Sequence, residues 1–517
     1  MTSFVVLVLL LATGLTLGKL AAAWPFTTDD AYITLRYSKH LAAGEGVVWN
    51  VGEPRVEGYS NFLFVLVGAA AIKLGLEPIT VLKTLGGVAF LMSAFVLFAW
   101  TRKRAGPLLA CVPFLILTSY LGSIWWSVSG LETAVYQLLV IVAAFLFVTG
   151  LGPAADRRSA AFTLSTWKLS AAGALVFLAS LTRPEGPLVV IAMVAALIVY
   201  ILANRAHNGK SLVVAGLRAS AILLLAFGIP YALYFLWRWD YFGRLLPNSV
   251  YCKGAWEGDS FTLLKDFWAD WKLAILLSLV VPWSAVGVKR LFVWLLTVAY
   301  LSILVGVDPI IGYVNRHMLA VLPLLLLSAT ASLHWILQAG LREKWLRPAS
   351  LAIVAATLVM LAVNQTDVVK RMSASAERYA RRMVTRDQLG HWINERLGPE
   401  QWYLIGDSGL VPYLTQAKVL DAFCLNNPAA TTILQGASPG RLAEALIDQR
   451  PDLVIVHSER PDRLEPKTYL DIYPAILDLP EFSSDFAPTA VFTTPLGITH
   501  YFVFERREYA GDGGPPT

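Results

Sequence analysis

Two adjacent carboxylates, Asp29 and Asp30, stand just beyond the apolar run 4–23. Side by side at a membrane edge they repel, so one pKa rises unless a cation or a metal balances the pair. Such a group suits general-base work or metal binding. The same residues also fit an acidic N-cap that pairs with Arg36, and the two roles are compatible. Cations expected on the same face are Arg36, Arg183, Arg244, Lys253 and Arg316, with His317 beside the last. A base and a group of cations suit a reaction in which a group loses its proton while negative charge develops nearby.

Each candidate has a plainer reading. Arg316 precedes an apolar run and can snorkel to headgroups. Arg183, flanked by Pro184 and Glu185, can order its turn through a buried ion pair. Glu57, 28 residues after Asp29 and beside Tyr59, can hold an acceptor, bind a metal or be a solvated loop charge. The stretch Trp237–Tyr251, which includes Asn248, mixes aromatic and polar side chains. It suits sugar binding and an interfacial belt equally, and Trp125-Trp126 reads as belt. Glu57, Tyr59 and Asn248 are the candidate acceptor or sugar contacts. Asp308 can cap a break before Pro309. A divalent cation at Asp29 and Asp30 stays open, but no ligand spacing demands one.

These residues must be positioned by membrane helices. The chain has 517 residues, 56% hydrophobic and only 15% charged, with a mean hydropathy of +0.59. Soluble domains carry about 25% charge, so a single soluble domain is excluded. A formal charge of +6 and three cysteines point to neither a nucleic-acid binder nor a disulfide framework. Eleven candidate spans are read at 4–23, 78–100, 107–124, 132–151, 168–182, 187–203, 212–237, 272–288, 291–306, 318–338 and 349–364. The segment 62–74 is too short to span and is placed along the membrane surface. With these spans one set of loops holds Arg102, Lys103, Arg104, Arg157, Arg158, Arg205, Lys210, Lys289, Arg290, Arg342, Lys344 and Arg347, against the acids Asp156 and Glu343. The positive-inside rule makes that set cytoplasmic. The first outer loop, 24–61, and everything from 365 then face outward. Residues 1–23 also resemble a signal peptide ending at Ala21-Ala22-Ala23, though the stretch before the apolar core lacks a positive charge and an uncleaved span is favoured.

The tail changes character. Residues 367–396 are charged with helical periodicity, 402–405 and 453–456 read as buried strands, 441–449 as a helix and 499–504 as a last strand. The expected division is a membrane domain over 1–364 and a soluble α/β domain over 365–517. Cys252 and Cys424 both fall outside, but their distance in sequence gives no reason to pair them.

Longer motifs carry a resemblance. Asp29-Asp30-Ala31-Tyr32-Ile33-Thr34-Leu35-Arg36-Tyr37, the turn Gly44–Asn50, and Val56-Glu57-Gly58-Tyr59-Ser60-Asn61 resemble the first loop of bacterial GT-C membrane glycosyltransferases. Within them the chain is most similar to the arabinofuranosyltransferases, both the mycobacterial terminal β-(1→2) enzyme and the pilin-modifying enzymes. Leu181–Gly186, Leu245–Lys253, Asn315-Arg316-His317-Met318 and Gly406–Tyr413 extend the similarity in order along most of the chain. The resemblance implies a GT-C fold and transfer of D-arabinofuranose, with inversion, from decaprenyl phosphate or a related polyprenyl phosphate. The acceptor would be a glycan or surface protein outside the bacterial inner membrane. It implies a catalytic Asp29 with Asp30 beside it. Arg316, His317, Arg183, Lys253 and Arg244 are then the candidates for the donor phosphate. A mannosyl or aminosugar transferase of the same fold is the near alternative. A lipid-sugar flippase would place polar groups or broken spans at the bilayer midplane and often shows paired repeats; none is found. A receptor with a sensor tail would have little need of Asp29 and Asp30.

Overall fold

The computed structural model describes residues 2–152, 163–253, 261–280, 287–304, 312–363, 365–434, 438–466, 472–494 and 499–507. The chain separates into two compact units. The first comprises Met1–Trp24, Lys83–Trp237 and Glu257–Met372; the second comprises Pro25–Leu82, Arg238–Trp256 and Ser373–Thr517.

The first unit is helical. Among the described residues six helices are long and apolar enough to cross a membrane: Ser3–Ala23, Pro78–Ser119, Thr133–Gly150, Pro187–Asn204, Lys210–Phe242 and Leu322–Gly340. Thr166–Thr182 and Arg290–Ser302 are apolar but shorter. Two of the expected spans, 78–100 and 107–124, form one helix in hydrogen bonding that breaks at Gly106 (φ 80°, ψ 168°), just before Pro107. Pro187–Phe242 is likewise continuous in assignment, yet the Ile201 side chain abuts Gly216. Fifteen residues of straight helix would separate them by about 22 Å, so the segment folds back as two helices. The expected span 272–288 is displaced: the helix runs Thr262–Leu279 and carries Lys265, Asp266, Asp270 and Lys272. Asp308 and Arg157-Arg158 lie outside the described residues.

Several interior hydroxyls in this unit are satisfied locally. Thr101, Thr118, Thr330 and Thr357 each donate to the carbonyl four residues back, as a segment without water requires. Leu10, Leu11, Leu225 and Leu233 are exposed, the distribution of a lipid-facing surface. Trp125 and Trp126, by contrast, are buried. They belong to the interior rather than to a headgroup belt.

The second unit is built on a five-stranded sheet: β1 (Trp402–Ile405), β2 (Lys418–Asp421), β3 (Leu453–Ser458), β4 (Phe486–Thr493) and β5 (His500–Arg506), in the order β2-β1-β3-β5-β4. The first three are parallel, and β5 runs antiparallel to both β3 and β4. β3 is buried throughout, as a strand covered on both faces must be. The expected tail strands and helix are present. β2 and β4 are additions, short or half-exposed and poor in alternation. The helix Gln365–Asn394 precedes the sheet.

The segment expected as a surface loop is part of the same core. The helix Asp30–Ala43 packs on Phe62–Lys73. Ile33, Tyr37, Trp49 and Val65 cluster with Ile393, Tyr403, Ile455 and Val503. Arg36 ties the two together. Its guanidinium donates to the carbonyls of Trp49, Pro412, Thr415 and Ala417 and to Asn50 Oδ1. It pairs with no carboxylate among these partners, so the expected Asp–Arg36 cap pairing is absent. Burial lowers its pKa to about 10.

Cys252 and Cys424 form a disulfide with Cα atoms 5.9 Å apart, which links 238–256 to the tail; Cys111 is the free cysteine. Alkylation of denatured, unreduced protein should therefore label one thiol, and three after reduction; three labelled thiols without reductant would refute the pairing. Replacing both half-cystines by serine should destabilise the unit by about 2–5 kcal/mol, read as a lower melting temperature.

Candidate active site

Asp29 occupies the position before the helix Asp30–Ala43, but its backbone is already helical (φ −54°, ψ −42°) and its side chain makes no capping hydrogen bond. The carboxylate is turned elsewhere. Oδ1 accepts the Leu410 N–H at 3.0 Å and lies 3.3 Å from Arg386 Nε. Arg386 in turn reaches Asp407 Oδ2, at 2.8 Å through Nη2 and 3.2 Å through Nε. The Tyr501 hydroxyl donates to the same oxygen, and His457 stacks on Tyr501 with ring centroids 5.4 Å apart.

The fold explains each placement. Asp407 follows the carboxyl end of β1, where parallel sheets present their binding loops. Tyr501 and His457 face each other across β5 and β3. Arg386 belongs to the long helix, on the stripe with Leu389 and Ile393 that enters the core. Gly409 is a close approach: a Cβ there would overlap the Asp29 carboxylate, so a side chain would push the aspartate away.

Electrostatics divides the two acids. Burial pushes Asp29 up, Arg386 opposes it, and Asp407 adds to the rise; the balance is about 6. For Asp407 burial is also the largest influence, but Arg386, His457 and the Tyr501 hydroxyl outweigh it and hold the carboxyl well below the usual range. The repulsion expected between neighbours Asp29 and Asp30 is thus mainly one between Asp29 and Asp407, and the balancing cation is Arg386. Asp29 can take and release a proton near neutral pH, as a general base should. Among the described residues no group of three His, Cys, Asp or Glu side chains is arranged to hold a metal ion.

The proposed acceptor contacts sit differently. Glu57 is buried and salt-bridged to Arg238 at 2.7 Å; burial, opposed by Arg238, raises its pKa to about 7. Asn248 donates to the carbonyls of Cys424 and Leu425 and accepts from Arg244 at 2.8 Å. Tyr59 packs among Tyr37, Phe62 and Phe242. The space beside Glu57, Arg244 and Asn248 is about 20 Å³, enough for a water and not for a sugar. These residues support the unit from inside, which corrects their reading as open contacts. Lys253 ends the helix Asn248–Lys253.

In the membrane unit three of the candidate phosphate residues, Arg183, Arg316 and His317, come together around Glu132. Glu132 binds both arginines, Arg183 at 3.0 Å and Arg316 at 3.2 Å. Arg183 also holds Glu185 through Nε at 2.7 Å and reaches His317 Nδ1 at 2.9 Å. Arg316 lies over the Trp126 ring, 4.8 Å from its centroid. Val314 and Asn315 just before it have positive φ, 51° and 58°, a strained backbone typical of binding sites. The ion pair Arg183–Glu185 is present as well, as the plainer reading of Arg183 expects. Arg386 and Glu132 were not anticipated. An arginine interrupting an apolar i, i+3, i+7 stripe was the available sign for the first; a lone acid before an apolar helix was the sign for the second.

Residues 373–508 match a family described as a domain of unknown function (DUF8728). No curated protein matches the chain. Solved structures do. ArnT from Cupriavidus metallidurans, bound to undecaprenyl phosphate, superposes with a TM-score of 0.57 at 16% identity over 99% of this chain and 100% of that one. The oligosaccharyltransferase AglB from Archaeoglobus fulgidus, in complex with an inhibitory peptide and a dolichol-phosphate, gives 0.58 at 13% identity over 99% and 75%. The arabinofuranosyltransferase AftD from Mycobacteria gives 0.50 at 15% identity over 96% and 41%. At identities this low the likeness shows the fold alone: a polytopic helical membrane protein with the GT-C fold and an α/β tail.

The Glu57–Arg238 pair offers a stability test. Arg238→Met leaves a buried carboxylate without its partner and should destabilise the protein by about 3–5 kcal/mol. Glu57→Leu combined with Arg238→Met should recover most of that loss in thermal unfolding; no recovery would mean the pair is not the source of the cost.

Proposed function

We propose that this chain is an inverting glycosyltransferase of the bacterial inner membrane. It would transfer a sugar, D-arabinofuranose by the sequence resemblance, from a polyprenyl phosphate such as decaprenyl phosphate to a hydroxyl of a glycan or surface protein on the outer face. The observation that carries this reading is Asp29, a half-buried carboxylate tuned to about 6 and held by Arg386 and the Leu410 N–H beside Asp407. The structural neighbours bound to undecaprenyl phosphate and dolichol-phosphate support the donor class. The disulfide supports an outward-facing second unit, because disulfides persist in oxidising compartments.

In the proposed reaction Asp29 takes the proton of the acceptor hydroxyl. The hydroxyl oxygen bonds to the anomeric carbon from the face opposite the phosphate, and the carbon–oxygen bond to phosphate breaks with its electron pair going to the leaving group. Inversion follows from this single displacement. Arg316, with His317 and Arg183, is assigned to the donor phosphate, where developing negative charge needs fixed cations. Glu132 keeps the two guanidiniums in place. Arg386 and Asp407 act on Asp29 rather than on substrate.

Membranes carrying Asp29→Asn should lose sugar transfer at unchanged expression; undiminished transfer would falsify the base assignment. The base works ionised, so wild-type kcat/KM should fall as pH drops below about 6. Asp407→Asn removes a like charge, lowers the Asp29 pKa and moves this acid limb to lower pH. Arg386→Gln removes the opposing cation and moves it to higher pH. Arg316→Ala should raise KM for the donor and leave that for the acceptor unchanged.

A further inference from the structure

The break at Gly106 has a cavity beside it. The cavity measures about 360 Å³ and lies wholly within the membrane unit, where Trp100, Val293 and Leu327 contribute apolar wall and Arg104, Arg290 and Ser328 contribute polar groups. A volume of this size is typical of small-molecule sites. Trp100, Val293, Leu327 and Ser328 are buried, Arg290 is half-buried and Arg104 is exposed. The Ser328 hydroxyl has no hydrogen-bond partner among the described residues. Neither arginine is paired with a carboxylate among them. A second cavity of about 210 Å³ flanks the same break and includes Ala105, Pro107, His334 and Arg347 in its lining.

These features select a ligand. Arg290, half-buried beside apolar wall with no carboxylate partner among the described residues, is compensated when an anion joins it, and the exposed Arg104 on the same wall adds a second positive charge for that anion. A buried, unpaired hydroxyl donor calls for an oxygen acceptor. Apolar wall next to both calls for hydrocarbon. A free anion would leave Trp100, Val293 and Leu327 without a partner, and a neutral or zwitterionic lipid would leave the arginines uncompensated. Basic pockets between membrane helices on the positively charged side of a protein bind acidic headgroups. Arg104 follows Arg102 and Lys103 in the helix Pro78–Ser119, Arg290 lies in the first turn of Val288–Leu304, and Arg347 lines the second cavity. None of the residues assigned to the sugar donor lines the cavity.

We propose that this cavity binds an anionic phospholipid, its phosphate held by Arg104 and Arg290, an ester or phosphate oxygen accepting from Ser328, and the start of an acyl chain lying along Trp100, Val293 and Leu327. The site is separate from the sugar-transfer machinery, so its occupancy does not depend on the proposed reaction.

The test uses full-length protein in nanodiscs of phosphatidylcholine, titrated with dioctanoyl phosphatidylglycerol and read by native mass spectrometry. One bound phosphatidylglycerol per chain is expected. Arg104→Gln and Arg290→Gln should each weaken binding at least 10-fold, and Arg316→Ala should leave it unchanged. Dioctanoyl phosphatidylcholine and inorganic phosphate should not compete. Leu327→Trp, which fills the cavity while keeping both charges, should abolish binding and guards against arginine variants that fold poorly. Equal binding by both arginine variants and by Leu327→Trp would overturn the site. Full competition by inorganic phosphate would overturn the lipid assignment in favour of a free anion. Equal displacement by undecaprenyl phosphate would overturn the phospholipid in favour of the carrier lipid.

Discussion

The second unit depends on one arrangement: a single buried guanidinium shared by two half-buried carboxylates. Arg386 lies between Asp29 and Asp407, so the cluster carries one positive charge against two negative ones. Ionising both acids in such a site is unfavourable, and the strain falls on whichever has fewer compensating contacts. Asp407 has Arg386, Tyr501 and His457. Asp29 has one backbone N–H and the more distant edge of the guanidinium. The asymmetry makes Asp29 the acid that protonates first, which is the property a base working near neutral pH requires. It arises from packing, because Gly409 admits the carboxylate and β1 delivers Asp407 beside it.

The same logic runs through the membrane unit with the signs exchanged. There a single carboxylate, Glu132, is shared by two guanidiniums, and Glu185, paired with Arg183, supplies the second negative charge. Such a group is expensive to bury for stability alone, since hydrophobic replacements of similar volume are often neutral or better. The two arginines and two glutamates balance in number, whereas the cluster around Arg386 carries one negative charge in excess.

What the sequence disclosed follows the range over which each signal acts. Apolar runs and strand periodicity are local, so most helices and the strands Trp402–Ile405 and Leu453–Ser458 were legible. Breaks were legible where Gly and Pro stand together, as at Gly106-Pro107. The fold-back between Ile201 and Gly216 was anticipated because basic residues interrupt the apolar run. Partner identity was not legible. Arg36 stands seven residues after Asp29 at helical spacing, and local reasoning pairs them. The tertiary fold instead gives Arg36 to four carbonyls and gives Asp29 an arginine 357 residues away. Glu57, Tyr59 and Asn248 look like binding residues because polar and aromatic groups in loops commonly are. Here the loop is interior to a core, and they serve it.

That interior position changes how the first loop and the tail should be regarded. Residues 25–82 and 373–517 are joined by one hydrophobic cluster, by the Arg36 carbonyl contacts and, through 238–256, by a disulfide. The first loop covers one face of the tail sheet, where Tyr403 and Ile455 pack with Ile33, Tyr37 and Trp49. The tail, matched to a domain of unknown function, therefore acts as the scaffold on which the Asp29 segment folds. Arg386 and Asp407 reach Asp29 only because that scaffold fixes the loop to the sheet. Any change that loosens the sheet should first be felt as a change in the ionisation of Asp29, before the fold itself is lost.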